Sequence, residues 1–141
     1  MLFPSLTAMR STSTFTVSSF EPTDLTGVVE TATDVGVARM TKEFSGGLEG
    51  RSTTLFVSAF DVVAEVGTYA AIESFEGTLD GRAGALNIAH SATTYGGNER
   101  RHELVVIVPG SGSGGLTGIT GTGTMRVEAD GTHVLELEYE G

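Results

Sequence analysis

The sequence predicts an all-β domain that closes into an antiparallel, up-and-down barrel of about eight strands. The chain has 20 glycines and only 3 prolines in 141 residues, and it is rich in threonine, valine and phenylalanine. Apolar and polar residues also alternate over several short segments, which is typical of strands with one buried face. A meander of about eight strands closes most economically into a barrel, because closure leaves no unpaired edge.

The predicted strands follow one another at short intervals. They span roughly residues 13–20, 37–44, 51–61, 68–76, 82–94, 101–108, 120–129 and 132–140. We expect residues 1–12 to form an N-terminal extension and residues 13–141 to form a single barrel domain. Residues 21–34 show neither the strand nor the helix period, so they are expected to form a long loop or a flap over one mouth of the barrel.

An internal repeat sets the register of the predicted strands. The segments 44–51 (FSGGLEGR) and 75–82 (FEGTLDGR) share the pattern F-x-G-x-L-[DE]-G-R. Each copy is expected to end a strand at its Phe, turn through its glycines and begin the next strand at its Arg. Lys42 and Glu73 both lie two residues before the repeated Phe, so they share a face. We therefore expect both side chains to point into one cavity, with His90 close enough to join them.

Alternation within the predicted strands indicates which residues share a face. One face of segment 68–76 carries Tyr69, Ala71, Glu73 and Phe75, and one face of segment 82–94 carries Leu86, Ile88, His90 and Ala92. In the last strand, His133, Leu135, Leu137 and Tyr139 share a face and glutamates occupy the other. Each of these apolar rows contains an ionisable residue.

The glycine-rich segment 110–115 (GSGSGG) matches the G-x-G-x-x-G pattern of dinucleotide-binding loops. That pattern binds phosphate only where a helix follows the loop. Segment 116–124 (LTGITGTGT) mixes glycine with β-branched residues and does not favour a helix. We therefore predict that Pro109–Gly123 is a hairpin connection with glycines at positive φ, and we expect no nucleotide or other cofactor.

Charge and composition exclude several classes of function. The net charge of −10 repels phosphate backbones and anionic lipids, so nucleic acid and membranes are poor candidate partners. The absence of cysteine excludes disulfides and thiolate zinc sites. The first ten residues, MLFPSLTAMR, lack the features of a secretory signal, so a cytoplasmic location is expected.

Glu73, His90 and Lys42 are the candidate catalytic residues. In an apolar cavity, Glu73 is expected to have a raised pKa and to act as a general acid or base, or to stabilise a developing cation. The alternative is a structural ion pair with Lys42. His90 is a candidate proton shuttle, with a simple hydrogen-bonded role as the alternative. His102 and His133 complete the set of three histidines, and their spacing matches no compact metal motif.

Six residues are candidate contacts for a small hydrophobic ligand, with core packing as the alternative role. They are Met40, Phe44, Tyr69, Phe75, Leu86 and Ile88. The aromatic residues Phe56, Phe60 and Tyr95 are further candidates for the same pocket. Exposed apolar strand faces would also favour a homodimer.

Five segments of the sequence carry a resemblance to known proteins. They are TFTVSSF (14–20), RMTKEFSGGLEGRST (39–53), IESFEGTLDGRAG (72–84), IAHSAT (88–93) and VVIVPGSGSGGLTGITGTG (105–123). Together they resemble a bacterial family of unknown function with an allene-oxide-cyclase-like, calycin-type β-barrel. The resemblance covers about residues 13–140, and the family's recurrent Lys, Glu and His match Lys42, Glu73 and His90. Segment 94–102 (TYGGNERRH) departs from the plainer glycine-rich turn of the family, as does the polar insert before residue 37.

The resemblance implies no settled activity, and two functions of different classes remain. One is a cofactor-independent cyclase or isomerase that folds a small unsaturated substrate in the barrel, with Glu73, His90 or Lys42 moving a proton or stabilising charge. The other is a non-catalytic barrel that binds a small hydrophobic molecule. A wide, polar-tipped cavity would favour the enzyme, and a smooth apolar cavity or a filled interior would favour the binding protein.

Overall fold

The computed structural model describes residues 8–141, and this part of the chain contains strands, turns and loops without a helix. The nine strands are β1 (Met9–Pro22), β2 (Val35–Gly46), β3 (Leu48–Asp61), β4 (Val66–Leu79), β5 (Arg82–Tyr95), β6 (Glu99–Ile107), β7 (Ser113–Gly114), β8 (Thr120–Val127) and β9 (His133–Glu140). Within residues 8–141 there is accordingly no helix of the length and hydrophobicity that a membrane span requires.

Eight of these strands form a closed antiparallel barrel. The strands pair in the order β4, β3, β2, β1, β9, β8, β6 and β5, and β5 pairs with β4 to complete the ring. The two-residue strand β7 lies outside the ring and pairs with Gly84 and Ala85 of β5. The predicted eight-stranded up-and-down barrel is therefore confirmed, and β7 is an addition to it.

Strand β1 begins earlier than predicted. Met9 pairs with Tyr139 of β9, and the pairing continues to Phe15 opposite His133. Residues 9–12, which were expected to lie in the N-terminal extension, are thus part of the barrel wall; residues 1–7 of that extension lie outside the described residues. The inward positions of this segment include the buried Ser11 and Ser13. Because those inward residues are polar, the start of the strand carries no apolar alternation.

The hydrophobic core fills one end of the barrel, which we call the closed end. Leu48, Leu79, Leu116 and Ile119 have no exposed surface there. The core cluster comprises Phe15, Phe44, Leu48, Phe75, Leu79, Leu86, Ile88, Val105, Ile107, Leu116, Ile119, Met125, Leu135, Leu137 and Tyr139. The predicted inward rows of β4, β5 and β9 are mostly buried, as alternation indicated.

Both copies of the repeat form hairpins at the closed end, but their turns occupy different positions. In the first copy the chain turns at Gly46 and Gly47, before the repeated Leu. In the second copy it turns at Asp80 and Gly81, after the repeated Leu. The strands therefore do not end at each Phe as predicted. The two repeated leucines, Leu48 and Leu79, instead lie opposite each other in neighbouring strands.

A close approach of two backbones explains why glycine is required within these strands. Gly50 of β3 lies directly opposite Gly77 of β4. Their φ angles are +147° and +150°. A Cβ atom on Gly77 would lie 2.0 Å from the Glu49 carbonyl oxygen. Such glycines let a sheet bend sharply, which helps a wall of long strands to close into a small barrel.

The glycine-rich stretch after β6 is a connection between β6 and β8, and no helix follows it. Gly110, Gly114 and Gly118 have φ angles of +83°, +61° and +83°. The connection also places Leu116 and Ile119 into the closed end, where both are fully buried. The prediction of a β-connection with glycines at positive φ is therefore confirmed for residues 109–119, whereas residues 120–123, which were assigned to the connection, lie in β8.

The opposite end of the barrel, which we call the mouth, is surrounded by connecting loops. The segment 23–34 between β1 and β2 lies at this end and has no regular secondary structure, as expected, whereas residues 21 and 22 of the predicted loop belong to β1. Leu25, Val28 and Val29 in this segment are exposed.

Strands β6 and β8 pair at only two positions, Val106 with Thr122 and Ile107 with Gly121. Both pairs are remote from the mouth, where β6 begins and β8 ends.

Candidate functional site

Lys42, Glu73 and His90 meet inside the barrel. The Lys42 Nζ atom lies 3.0 Å from Glu73 Oε1, and His90 Nε2 lies 3.1 Å from the same oxygen. The three side chains are at most 4% exposed, and Glu73 is fully buried. The three residues that the sequence singled out therefore meet, as predicted.

Strand pairing explains this meeting. Lys42 of β2 lies opposite Ser52 of β3, and Glu73 of β4 lies opposite Thr54, two residues further along β3. Residues two apart in a strand share a face, so all four side chains point inward. His90 lies opposite Ala71 of β4, two residues before Glu73, and therefore joins the same interior layer.

Ser52 completes the shell around Glu73, and the sequence analysis missed it. Its hydroxyl donates a hydrogen bond of 2.5 Å to Glu73 Oε2. Lys42 also lies over the ring of Phe15, with Nζ 4.4 Å from the ring centroid, which is a favourable cation–π contact. Both carboxylate oxygens and the ammonium group thus have partners, although all are removed from water.

Glu73 is ionised in this environment. Burial tends to raise its pKa, but the His90 hydrogen bond, the Lys42 charge and the Ser52 hydrogen bond together outweigh burial and lower the pKa to about 2. The expectation of a raised pKa was therefore wrong, because Glu73 is packed against polar hydrogen-bonding partners and does not lie in an apolar cavity. A carboxylate with so low a pKa is a poor general acid or base near neutral pH. It can hold and stabilise a neighbouring positive charge.

The buried cluster continues from His90 towards the mouth. The Tyr69 hydroxyl lies 3.0 Å from His90 Nδ1, and an Arg100 terminal nitrogen donates to the Tyr69 oxygen over 2.6 Å. Arg100 Nε donates in turn to Glu103 Oε2 over 2.8 Å. We call the six residues Lys42, Ser52, Glu73, His90, Tyr69 and Arg100 the interior network. It forms a continuous hydrogen-bonded chain from the fully buried Glu73 to the half-buried Tyr69.

An irregularity in β6 directs Arg100 into the network. Strict alternation from Val105 would place Glu103 and Arg101 inward. The pairing of β5 with β6 instead shifts by one residue between Ser91 and Thr93. His102 in the bulge has a φ angle of +55°. The bulge brings Arg100 inward in place of Arg101, and this change of face has no signature in the hydrophobic pattern.

A pocket of about 270 Å³ opens at the mouth beside Tyr69. Its lining residues are Phe20, Phe56, Ser58, Ala59, Phe60, Gly67, Thr68, Tyr69 and Thr94. The rings of Phe56 and Tyr69 stack with centroids 5.1 Å apart, and Phe20 meets Phe56 edge to face at 6.2 Å. We call this the mouth pocket. Its wall is aromatic, and the interior network reaches it through Tyr69.

Of the six predicted ligand contacts, Tyr69 lines the mouth pocket. Phe44, Phe75, Leu86 and Ile88 are packed in the core of the closed end. Met40 is half-buried on β2 and is not part of the pocket wall. Alternation placed these side chains on the inward face correctly. It did not distinguish the filled end of the barrel from the open end.

The other aromatic candidates divide between the inside and the outside of the pocket. Phe56 and Phe60 line it, whereas Tyr95 lies elsewhere, with the Arg101 guanidinium 4.6 Å from its ring centroid.

His133 packs against Phe15 with ring centroids 5.1 Å apart. Burial and the charges of Lys42 and Arg100 lower the pKa of His133. Residues 8–141 contain no group of three side chains placed to bind a metal ion.

The family assignment agrees with this architecture. The model of a family described as "Protein of unknown function (DUF3224)" matches residues 11–139. A crystal structure of a DUF3224 protein of unknown function from Shewanella oneidensis MR-1 is similar to this chain, with a TM-score of 0.80 and 30% sequence identity. The match covers 94% of this chain and 96% of the Shewanella chain.

No curated protein matches the sequence. Neither the family nor the Shewanella protein is described as an allene oxide cyclase, so the expected resemblance to those enzymes stays a prediction. The match over residues 11–139 includes every residue of the interior network and all of the mouth pocket. The chain belongs to the DUF3224 family of proteins of unknown function.

Proposed function

We propose that this protein binds a small hydrophobic molecule in the mouth pocket. The observation that supports the proposal is the aromatic wall formed by Phe20, Phe56, Phe60 and Tyr69 around a pocket of about 270 Å³. Phe20 and Phe60 are each about half exposed, at 52% and 46%. Covering exposed aromatic surface is favourable, at about 25 cal/mol per Å² of apolar area removed from water. A ligand with a flat, apolar body fits such a wall.

The polar groups beside the pocket favour a ligand with one polar atom. Three of the lining residues, Ser58, Tyr69 and Thr94, carry a hydroxyl group, while the surface of the pocket is almost entirely apolar. Ligand sites of this kind are mostly apolar, with a few polar groups that orient the molecule. The proposed ligand is therefore a small, largely apolar molecule with a carbonyl or hydroxyl group.

Binding of Nile red, an uncharged dye that fluoresces in apolar sites, tests the proposal. An uncharged dye is appropriate because the protein has a net charge of −10. We expect saturable binding to the wild type and binding at least about tenfold weaker to Phe56→Ala, since a lost aromatic contact of about 1.4 kcal/mol gives that factor. The matched control is Leu55→Ala, because Leu55 is 61% exposed on the outer face of the same strand. Equal affinities of the two variants would contradict the proposal.

A cofactor-independent cyclase or isomerase is the second candidate function. The observation that favours it is the hydrogen-bonded chain from Glu73 through His90 to Tyr69, because that chain ends at the pocket wall. In this version Glu73 acts as a fixed negative charge and not as the proton donor first expected. The filled closed end favours the simpler binding function, since it leaves the mouth as the place for a ligand. A homodimer remains a separate proposal, tested by the mass of the protein in solution.

A further inference from the structure

We infer that Tyr69 is a catalytic residue that exchanges a proton between a ligand in the mouth pocket and His90. The inference rests on the proposed function, since it needs a ligand bound beside Tyr69. It adds a substrate class, namely small apolar ketones with a proton on the carbon next to the carbonyl group. It also assigns to Tyr69, first predicted as a ligand contact only, the chemistry first assigned to Glu73.

The donors and acceptors of the network give the hydrogen bonds a direction. An ionised Glu73 only accepts, so His90 Nε2 carries a proton and donates it to Glu73 Oε1 over 3.1 Å. In the neutral imidazole, Nδ1 then has a free lone pair and accepts from the Tyr69 hydroxyl at 3.0 Å. Arg100 only donates, so the Tyr69 oxygen accepts from it over 2.6 Å. In this neutral form of His90, the phenol points its proton at the Nδ1 lone pair.

This order of groups is that of an activated hydroxyl, a histidine base and an orienting carboxylate. The roles depend on Glu73 remaining ionised while the imidazole takes up a proton. Burial opposes that state, but the partners of Glu73 lower its pKa to about 2. Burial also raises the pKa of Tyr69, so the resting phenol keeps its proton. The Arg100 guanidinium donates to the Tyr69 oxygen and would stabilise negative charge that builds on that oxygen during the transfer.

The proposed step balances without a co-reactant. The Tyr69 oxygen removes a proton from the carbon next to the ligand carbonyl, while the phenolic proton passes to His90 Nδ1. The electron pair of the broken C–H bond stays on the ligand as an enolate. The imidazolium that forms lies against the Glu73 carboxylate. When the proton on Tyr69 or His90 is replaced from solvent before the reverse step, the same carbon receives a solvent-derived proton, and return to another carbon of a conjugated enolate isomerises the ligand.

The position of Tyr69 supports its assignment, rather than that of another network residue, as the group that contacts the ligand. Tyr69 both lines the mouth pocket and contacts His90. Lys42, Glu73 and His90 are at most 4% exposed and do not line that pocket. His90, Glu73 and Arg100 are accordingly positioning and relay residues, which act on a ligand through Tyr69.

Hydrogen exchange of 2-tetralone tests the inference. This uncharged bicyclic ketone carries exchangeable protons next to its carbonyl group, and their replacement by deuterium is followed by NMR in deuterated buffer. We expect the wild type to accelerate the exchange and Tyr69→Phe to lower that acceleration about 10²-fold or more, the usual scale for losing a general acid or base. His90→Gln should have the same effect, because its amide can still bond to Glu73 but does not take up a proton. Tyr95→Phe, a tyrosine change outside the network, should leave the rate unchanged.

Two binding measurements separate this inference from the proposed function. Displacement of Nile red by 2-tetralone shows that the ketone occupies the pocket in the wild type and in Tyr69→Phe. Bound 2-tetralone without faster exchange, exchange that survives in Tyr69→Phe, or Nile red that 2-tetralone does not displace would each overturn the inference alone. Absence of Nile red binding to the wild type would overturn the proposed function and the inference together. The melting temperatures of Tyr69→Phe and His90→Gln should be close to that of the wild type. A slower exchange in these variants then does not result from unfolding.

Discussion

At the scale of single residues, the central feature is a carboxylate held inside a barrel. Glu73 is fully buried, yet hydrogen bonds from His90 and Ser52 and the charge of Lys42 keep it ionised. Spacing within the repeat was enough to predict that Lys42 and Glu73 would meet. The direction of the Glu73 pKa shift could not be predicted from the sequence. It depends on the Ser52 hydrogen bond and on which atoms of His90 face the carboxylate.

Replacing Glu73 by glutamine should strongly destabilise the protein. The change would leave the Lys42 ammonium buried without a counter-charge, which costs about 3–5 kcal/mol in comparable buried pairs. Chemical unfolding monitored by far-UV circular dichroism measures the loss. The matched control is Glu76→Gln, three residues further along β4, where Arg51 and Glu76 form an exposed pair with side chains 74% and 60% exposed. Similar stabilities of the two variants would show that the Lys42–Glu73 pair contributes no more than a surface ion pair.

The same carboxylate predicts how stability depends on pH. The pKa of Glu73 is lowered from 4.5 to about 2, so the unfolded chain takes up this proton before the folded protein does. Its contribution is therefore fully present above about pH 4.5 and is lost as the pH falls towards about 2, by roughly 3 kcal/mol in total. The difference in unfolding free energy between the wild type and Glu73→Gln should shrink across that interval. A difference that stays constant from pH 5 to pH 2 would contradict an ionised Glu73.

At the scale of strands and turns, hydrophobic alternation predicted most of the barrel and failed at three identifiable places. Strand β1 began early because its inward residues include serines, and β7 is too short to show a period. Arg100 points inward because a bulge in β6 changes the face of the chain. Small polar inward residues, very short strands and bulges leave no trace in a period-two pattern.

The paired glycines of β3 and β4 should tolerate no side chain. Gly77→Ala would place a Cβ atom 2.0 Å from the Glu49 carbonyl oxygen, at a φ angle of +150° that side chains rarely adopt. We expect a loss of stability of roughly 1–3 kcal/mol or more, the range for steric overpacking. Thermal unfolding measures it. Gly36→Ala is the control, because a Cβ atom at Gly36 meets nothing within 4 Å; an equal loss in both variants would rule out the close backbone approach as its cause.

At the scale of the whole molecule, the barrel has two unlike ends. The closed end is filled by the core cluster and by Leu116 and Ile119 from the glycine-rich connection. The mouth has an aromatic pocket, and the interior network lies between the two. The sequence predicted a barrel with inward-facing ionisable groups but not which end is filled, because that depends on where the connections between strands fold back. This asymmetry is why the account places a ligand at the mouth.

Native mass spectrometry of the protein purified from its own host tests that placement most directly. We expect the wild type to carry one small apolar molecule, Phe56→Ala to lose it and Leu55→Ala to keep it. Phe56 lines the mouth pocket, whereas its neighbour Leu55 lies on the outer face of β3, so the pair of variants separates the pocket from the exterior surface. A wild-type protein without any bound molecule, or a molecule that Phe56→Ala retains as well as Leu55→Ala does, would contradict the account.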